Sequence, residues 1–371
     1  EFADPEAGDG ELAQELNATY GFVPQVAGLF DMQPFWFYMV LESANSAVQI
    51  GLPEELSENS LRANIESALK RKAPGYLKTV ALVAPEQPMQ QPNAFMPPPA
   101  GRTFNDLRTI LEENVRVIEA DLSSGVVPAD ADMLLLLAPE RLSEKEVFAV
   151  DQFLMQGGSV VVSTSPFGAS ITNSLSAAPH ESGLEEWLES MGFSVQDNMV
   201  LDPQNASLPV PVPRRVGPIS VNEIVMMPYP HFPDVRRDGL NEEHPVTAGL
   251  NQITFNWASP IFIDADKHAG REVVELVESS LNSWTSDKTN VMPDYQMYPQ
   301  TGFVPGIARN AHTLVAASEG KFESFFKGKD SPLLPEETDP DASEEESTEE
   351  AEPESTVYGS VIQSSSDSAR L

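Results

Sequence analysis

The chain has 371 residues, of which 57 are Asp or Glu and 22 are Lys or Arg, so its formal net charge is −35 at pH 7. It contains no cysteine, which excludes a disulfide framework, a thiolate-bound zinc or iron–sulfur site and a thiol nucleophile. This excess of acids argues against a protein that binds nucleic acid phosphates or an anionic membrane surface.

The N-terminal 76 residues predict a subdomain made of a hairpin and a helix. The apolar stretches Phe35–Leu41 and Ala47–Ile50 flank a short polar segment, as the two strands of a hairpin do. Leu61–Lys72 has apolar residues at helical spacing and basic residues in its last turn, which indicates an amphipathic helix with Ser60 as its N-cap.

Residues 77–334 predict an α/β domain. Thr79–Ala84 and Met133–Ala138 are continuous apolar runs, typical of strands that are covered on both faces. Ser143 and Glu146 form a capping box at the start of a helix that Gly157 and Gly158 end. The repeated strand–helix pattern predicts a three-layer sandwich with a mostly parallel sheet.

The later part of this region is rich in proline and has weak periodicity. We expect mainly loops over residues 202–312, with short strands near Ile261–Ile263 and Val273–Val277. A late strand is predicted near Thr313–Ala317.

An acidic run follows the α/β region. Between Glu336 and Glu354, eleven of nineteen residues are acidic, and this charge density prevents collapse into a core. The sequence therefore predicts a disordered segment over residues 335–357 and a separate C-terminal segment over 358–371.

Four consecutive aromatic residues, Phe35, Trp36, Phe37 and Tyr38, are candidate partner-binding residues. In a strand, alternate rings would point to opposite faces. One interpretation is a strand that is packed on both faces, and the other is an exposed aromatic ridge that contacts a partner.

Residues for catalysis do not form a recognised pattern. Ser165 follows a strand but lacks the flanking glycines of a hydrolase nucleophile. There is no phosphate-binding loop of the Walker type, and Gly157–Gly158 is read as a helix stop. We predict no catalytic, cofactor-binding or metal-binding residues and no cofactor.

Two weaker alternatives remain open for the polar residues. His231, Asp234 and His244 could converge on a metal, and Glu140, Asp202 and Asp264 could serve an enzyme, although no spacing pairs them. The pairs Arg214–Arg215 and Arg236–Arg237 are either local salt-bridge partners or a docking patch for an acidic partner.

Residues Asp132–Pro166 (DMLLLLAPERLSEKEVFAVDQFLMQGGSVVVSTSP) resemble the auxiliary components of uncharacterised ABC transport systems, the group that includes the gliding-motility protein GldG. The shared pattern is an apolar strand, a P-x-x-L-S-E-x-E link, a helix with an acidic D-Q-F/Y-L turn, two glycines and a strand. Further matches follow in order along residues 15–333: Phe35–Met39, Pro53–Leu61, Gly183–Gly192, His244–Thr247, Phe255–Pro260, Ser279–Trp284 and Gly320–Phe326.

This resemblance implies a flavodoxin-like fold, similar to that of class I glutamine amidotransferases, on the periplasmic side of the inner membrane. It also implies an anchor of transmembrane helices outside this chain, so we expect a soluble part of a longer protein. The implied partners are the ABC permease and ATPase subunits of the same system, and a homo-oligomer is a further expectation.

The sequence therefore predicts a non-catalytic accessory or binding domain that contacts the permease, a substrate or an envelope partner. The alternatives are a hydrolase-like enzyme that uses the cleft at the carboxyl ends of the parallel strands, and a structural assembly module. The absence of cysteine excludes amidotransferase chemistry itself.

Overall fold

The computed structural model describes residues 5, 10–28, 31–43, 46–50, 57–58, 61–62, 64–66, 69, 78–85, 104–171, 175–216, 219–334 and 361–371. The acidic segment predicted at 335–357 and the predicted N-cap Ser60 lie outside these residues. The chain forms two compact units. Unit 1 comprises Glu1–Pro85, Thr103–Ser163 and Glu319–Leu371, and unit 2 comprises Glu86–Arg102 and Thr164–Ser318.

Unit 1 begins with a helix and two hairpins. Helix α1 (Glu11–Tyr20) precedes the antiparallel pair β1 (Gln25–Gly28) and β2 (Asp31–Phe35), and then the antiparallel pair β3 (Met39–Ser43) and β4 (Ser46–Ile50). The β3–β4 hairpin confirms the predicted hairpin. The continuous strand predicted over Phe35–Leu41 is wrong, because residues 36–38 separate β2 from β3.

The amphipathic helix is present among the described residues, although it begins earlier than predicted. Glu58 is already helical, and the N–H of Leu61 donates to the Ser57 carbonyl at 3.0 Å. On this helix Ile65 and Leu69 are 38% and 51% exposed.

The α/β part of unit 1 follows the predicted order closely. Its elements are β5 (Thr79–Val83), α2 (Asn105–Glu112), β6 (Arg116–Glu119), β7 (Met133–Leu137), α3 (Glu144–Met155) and β8 (Ser159–Ser163). β5 pairs in parallel with both β6 and β7, and β7 pairs in parallel with β8. Leu134 and Leu136 lie on one face of β7 and are fully buried, and Leu137 on the opposite face is also buried, whereas Met133 and Leu135 on that face are half-buried.

Helix α3 starts at the predicted capping box. Ser143 Oγ accepts a hydrogen bond from the Glu146 N–H, and the Glu146 carboxylate accepts one from the Ser143 N–H at 2.7 Å. Nine consecutive residues, Val147–Met155, are buried. The helix is therefore embedded in unit 1.

Unit 2 is built mostly from short antiparallel pairs. The elements are β9 (Phe167–Ile171), β10 (Leu175–Pro179), α4 (Glu185–Met191), β11 (Phe193–Val195), β12 (Met199–Leu201), β13 (Asn205–Val216), β14 (Ile219–Arg236), β15 (Gln252–Thr254), β16 (Ile261–Ile263), β17 (Glu272–Glu278) and β18 (Trp284–Ser286). The antiparallel pairs are β9–β10, β11–β16, β12–β18, β13–β14 and β14–β15. Strand β19 (Thr313–Gly320) lies next to β17. Along the chain, the predicted strand–helix alternation therefore builds consecutive parallel strands only as far as β8.

The core of unit 2 draws on several of these strands. One of its buried clusters consists of Val200, Val235, Leu240, Leu276, Val277 and Leu314. The strands predicted near residues 261–263, 273–277 and 313–317 are confirmed as β16, β17 and β19.

The expectation of loops over the proline-rich region was wrong for residues 205–236. β13 and β14 form a long antiparallel ribbon, with Leu208 opposite Met227 and Val216 opposite Ile219. Prolines can occupy a strand where their missing N–H would point away from the neighbouring strand. A high proline count therefore did not exclude strands here.

The last described segment completes the sheet of unit 1. β20 (Ala369–Arg370) pairs in parallel with β8 and antiparallel with Glu319 and Gly320 at the end of β19. Val361, Ile362 and Ala369 are buried. Unit 1 therefore contains a mostly parallel sheet in the order β20-β8-β7-β5-β6, and residues 361–371 are an integral part of it.

Candidate functional site

The candidate partner surface is the row formed by Phe35, Trp36, Phe37 and Tyr38, here called the aromatic row. Phe35 ends β2 and the other three lie between β2 and β3. Each of the four residues is half-buried. The row is therefore neither a strand buried on both faces nor a fully exposed ridge, because part of every side chain faces solvent and part is packed.

Tyr38 fixes the aromatic row to the segment that follows α1. Its hydroxyl donates to the Val23 carbonyl at 2.5 Å, and its ring stacks on Phe22 with centroids 4.0 Å apart and planes 5° apart. Phe22 is 3% exposed and also stacks on Tyr20. Trp36 contacts Tyr38 edge-on at 6.4 Å.

Gly21 sets the direction of the chain between α1 and the Phe22–Val23 segment that contacts Tyr38. This residue ends α1 with φ 72°, and its N–H donates to the Asn17 carbonyl at 2.9 Å. A Cβ at this position would lie 2.6 Å from the Ser364 carbonyl oxygen. Sequence reasoning identified the row but missed Phe22 and Val23, although the pattern of an aromatic residue directly after a helix-ending glycine was available as a signal.

A buried polar joint lies on α3. Asp151 is fully buried, and its carboxylate accepts hydrogen bonds from Ser324 Oγ at 2.6 Å, the Phe325 N–H at 3.0 Å and Gln152 Nε2 at 3.0 Å. The neighbouring Gln152 accepts from the Ile362 N–H at 2.7 Å. This joint connects α3 to two distant segments, so its role is structural.

The acids considered for an enzyme are engaged separately. Asp202 is 1% exposed, and its two carboxylate oxygens accept from the Ser280 N–H, Ser280 Oγ and the Gln204 N–H at 2.7–2.8 Å. Asp264 caps a short 3-10 helix by accepting from the Asp266 N–H. Glu140 is exposed and belongs to unit 1, whereas Asp202 and Asp264 belong to unit 2.

The residues considered for a metal each have their own environment. His231 is 2% exposed, and its ring packs against Tyr229 and Phe303. Burial lowers the pKa of His231 to about 4. Asp234 pairs with Arg236, and His244 Nδ1 accepts from the Val246 N–H at 3.3 Å. No cluster of three His, Asp or Glu side chains suited to a metal ion occurs among the described residues.

Tyr229 is at the centre of the aromatic packing around His231. Its hydroxyl donates to the Val291 carbonyl at 2.7 Å and accepts from Trp257 Nε1 at 3.0 Å. Burial raises the pKa of Tyr229 far above its ordinary value. Because the hydroxyl is occupied on both sides, this cluster is a packed core of unit 2.

Ser165 has a local structural contact. Its Oγ accepts a hydrogen bond from the Phe167 N–H at 3.2 Å, which is a serine turn at the start of β9. This contact matches an ordinary turn more closely than an activated nucleophile.

The fold of unit 1 is that of an α/β protein with a mostly parallel sheet. Among known families, the one described as ABC-type uncharacterized transport system matches residues 77–360. This match covers more than half of the chain, so the protein belongs to this family of ABC transport auxiliary proteins.

Comparison with individual proteins adds little on function. A protein of Borreliella burgdorferi described as uncharacterized is 21% identical over 180 residues, which are 48% of this chain and 34% of the relative. The chain thus spans about a third of the length of that relative. No solved structure gives a significant match.

Within the described part of the chain, no helix is both long and apolar enough to span a lipid bilayer.

Proposed function

We propose that this chain is a non-catalytic extracytoplasmic domain of a GldG-like auxiliary subunit, which contacts the permease or an envelope partner through the aromatic row. The observation that carries the proposal is the combination of family membership with four half-buried aromatic side chains in one connection. Aromatic residues are enriched at interfaces, where partly exposed rings become buried.

The contacts of Tyr38 with Phe22 and Val23 support a role of the aromatic row in partner binding. Stacking on Phe22 and the hydrogen bond to Val23 restrict the connection before a partner arrives. Preorganised side chains lose less conformational entropy on binding, so each buried ring contributes more to affinity.

The strand order of unit 1 supports a flavodoxin-like, amidotransferase-like arrangement. Numbered along the chain, the first four strands of this sheet, β5, β6, β7 and β8, stand in the order 2-1-3-4, as the first four strands do in the flavodoxin order 2-1-3-4-5. We further propose that the domain lies on the periplasmic side of the inner membrane, with residues 1–76 nearest an anchor and residues 77–334 as the α/β domain. The permease and ATPase subunits of its transport system are the proposed partners.

The test is co-purification of the full-length protein with its permease from detergent-solubilised membranes. Trp36→Ser is expected to weaken the association by about 2 kcal/mol, which is roughly 30-fold, if the ring is an energetic hot spot. Phe262→Ser is the matched control, because Phe262 is an aromatic residue of unit 2 that is 58% exposed. Equal recovery of the permease with wild type and Trp36→Ser would exclude the aromatic row as the contact.

A second candidate function, ligand binding or hydrolysis at the carboxyl edge of the sheet, is favoured by one observation. Ala138 and Arg141 have φ of 44° and 47°, and they flank the turn that leaves β7. In the flavodoxin order this turn lies at the switch point between β5 and β7, where such folds bind ligands. Amidase or esterase turnover by the purified chain that Glu140→Gln or Ser165→Ala abolishes would support this function against the accessory role.

A further inference from the structure

Four prolines of the β13–β14 ribbon occupy the same kind of position in the antiparallel pairing. Pro209, Pro211 and Pro213 lie opposite Met226, Ile224 and Asn222, and Pro228 lies opposite Ser207. Residue pairs that contain a proline alternate along the ribbon with pairs that do not. A proline lacks an N–H, so it fits only the pairs whose backbone groups point away from the neighbouring strand. The outward-facing pairs are therefore those that contain the prolines.

This arrangement makes the two outer edges of the ribbon different. On β13 the prolines remove three successive outward N–H donors, and an edge of this kind resists pairing with another strand. On β14 the N–H and C=O groups of Asn222, Ile224 and Met226 point outward. Among the residues that the structure describes, no strand other than β13 pairs with residues 219–228 of β14. The β13 edge is therefore blocked, whereas the β14 edge has no described partner strand over residues 222–226. Next to this open stretch, the Pro228 carbonyl accepts a hydrogen bond from the Tyr295 hydroxyl at 2.7 Å.

Two side chains on the open edge, those of Ile224 and Met226, are apolar and exposed. Ile224 is 69% exposed and Met226 is 59% exposed, whereas Leu208 on the other face of the ribbon is buried. Residues 207–228 contain two arginines and one glutamate, so this stretch has a net charge of 2 − 1 = +1 in a chain of net charge −35. The ribbon is thus a part of this acidic chain that a second copy can approach with little charge repulsion.

We propose that the chain forms a homodimer in which β14 pairs antiparallel with β14 of a second copy. A twofold axis uses the same open edge twice, so donors and acceptors match without any other protein. In the result the four ribbon strands stand in the order β13-β14-β14-β13, with a β13 strand on the outer side of each ribbon. Because the prolines block these edges, assembly stops at two copies.

Side-chain repulsion selects the register. Centring the axis on Ile224 pairs Asn222 with Met226 of the second copy and yields about six backbone hydrogen bonds, two for each of three pairs. Shifting the axis to Glu223 would place two carboxylates directly opposite each other, which is destabilising. We therefore assign Ile224 opposite Ile224.

Sedimentation equilibrium of the 371-residue chain tests the proposal. Wild type is expected to be a dimer at micromolar concentration. Ile224→Pro removes an outward donor but no hydrogen bond within the ribbon, so the dissociation constant is expected to rise about tenfold or more. Ser207→Pro is the matched control, because it changes the same type of position on the β13 edge and is expected to leave the dimer intact.

Further variants keep the test decisive if Ile224→Pro does not fold. Ile224→Lys places like charges together and is expected to give a monomer with an unchanged circular dichroism spectrum. Ile224→Cys introduces a single thiol into a chain without cysteine, and oxidised glutathione is expected to cross-link it, because paired Cα atoms about 5.5 Å apart suit a disulfide. Val161→Cys, on exposed Val161 of β8, is expected to remain uncross-linked.

The blocked edge has its own test. Replacing Pro209, Pro211 and Pro213 together by threonine restores donors on β13 and is expected to produce concentration-dependent species larger than a dimer. A wild-type monomer at all concentrations, a folded Ile224→Pro variant that dimerises as tightly as wild type, or pairing of this edge only with another protein would each overturn the proposal.

Discussion

Asp151 and Ser324 are 173 residues apart in the chain, and the serine hydroxyl donates a 2.6 Å hydrogen bond to the buried carboxylate. Asp151 belongs to the D-Q-F/Y-L turn and Ser324 to the GKFESFF stretch, two of the segments that carry the family resemblance. Their contact gives the separate motifs a shared physical role, since together they attach α3 to the segment after β19.

Replacing Asp151 by alanine is expected to lower the free energy of unfolding by about 3 kcal/mol. The change leaves the hydroxyl of Ser324, the N–H of Phe325 and the amide of Gln152 without their buried acceptor. Urea unfolding followed by circular dichroism measures the effect. Glu144→Ala removes an exposed carboxylate from the same helix and should cost less than about 1 kcal/mol. Equal effects of the two changes would contradict the role of the joint.

The capping box predicts coupling between two side chains. Ser143→Ala and Glu146→Ala are each expected to lower the free energy of unfolding by about 1 kcal/mol, because each removes a hydrogen bond at the start of α3. The double variant should cost less than the sum of the single variants, since both contribute to one motif. Strict additivity in a thermal or urea series would show that the two residues act independently.

The acidic segment and the segment after it should respond oppositely to deletion. Replacing residues 337–356 by a Gly-Ser linker of about ten residues is expected to shift the melting temperature by only a few degrees, because so acidic a stretch contributes little to a core.

Deleting residues 361–371 is expected to abolish cooperative unfolding of unit 1, since it removes β20 and the buried residues Val361 and Ile362. Differential scanning calorimetry distinguishes these outcomes, and similar melting curves for the two deletions would refute this division of roles.

The pKa of His231 predicts a pH-dependent stability. It is about 4 in the folded chain and about 6.5 in an unfolded chain, so the unfolded state binds more protons between these values. The contribution of neutral His231 to the free energy of unfolding is present above pH 6.5 and is lost as the pH falls towards 4. The loss between pH 7.5 and pH 5 is about 2 kcal/mol. His231→Phe should reduce this dependence by that amount in urea unfolding. An unchanged pH slope in the variant would mean that His231 is not the group responsible.

Local patterns were sufficient to predict β5, β7, β8 and α3. These elements have continuous apolar runs or a capping box, and such signals depend only on neighbouring residues. The β13–β14 ribbon was missed because a proline fits a strand only where its backbone nitrogen points away from the partner strand. Which positions meet this condition is known only once the partner strand and its register are known.

The candidate site was predictable to a similar extent. The aromatic row was found by its composition, whereas its break between β2 and β3 depends on the contact of Tyr38 with Val23. The place of β20 beside β8 was not predictable, because it joins segments about two hundred residues apart.

The position of β20 also determines the order in which this protein can fold. The strands β5, β6, β7 and β8 are made early and are close in sequence, so they can pair with one another as soon as they emerge. The sheet stays open along β8 until residues 361–371 arrive, after all of unit 2 has been synthesised. Pairing over so long a separation is slow, because the closure entropy of the intervening chain is lost before the contact forms. During that interval β8 exposes an unpaired edge to other chains.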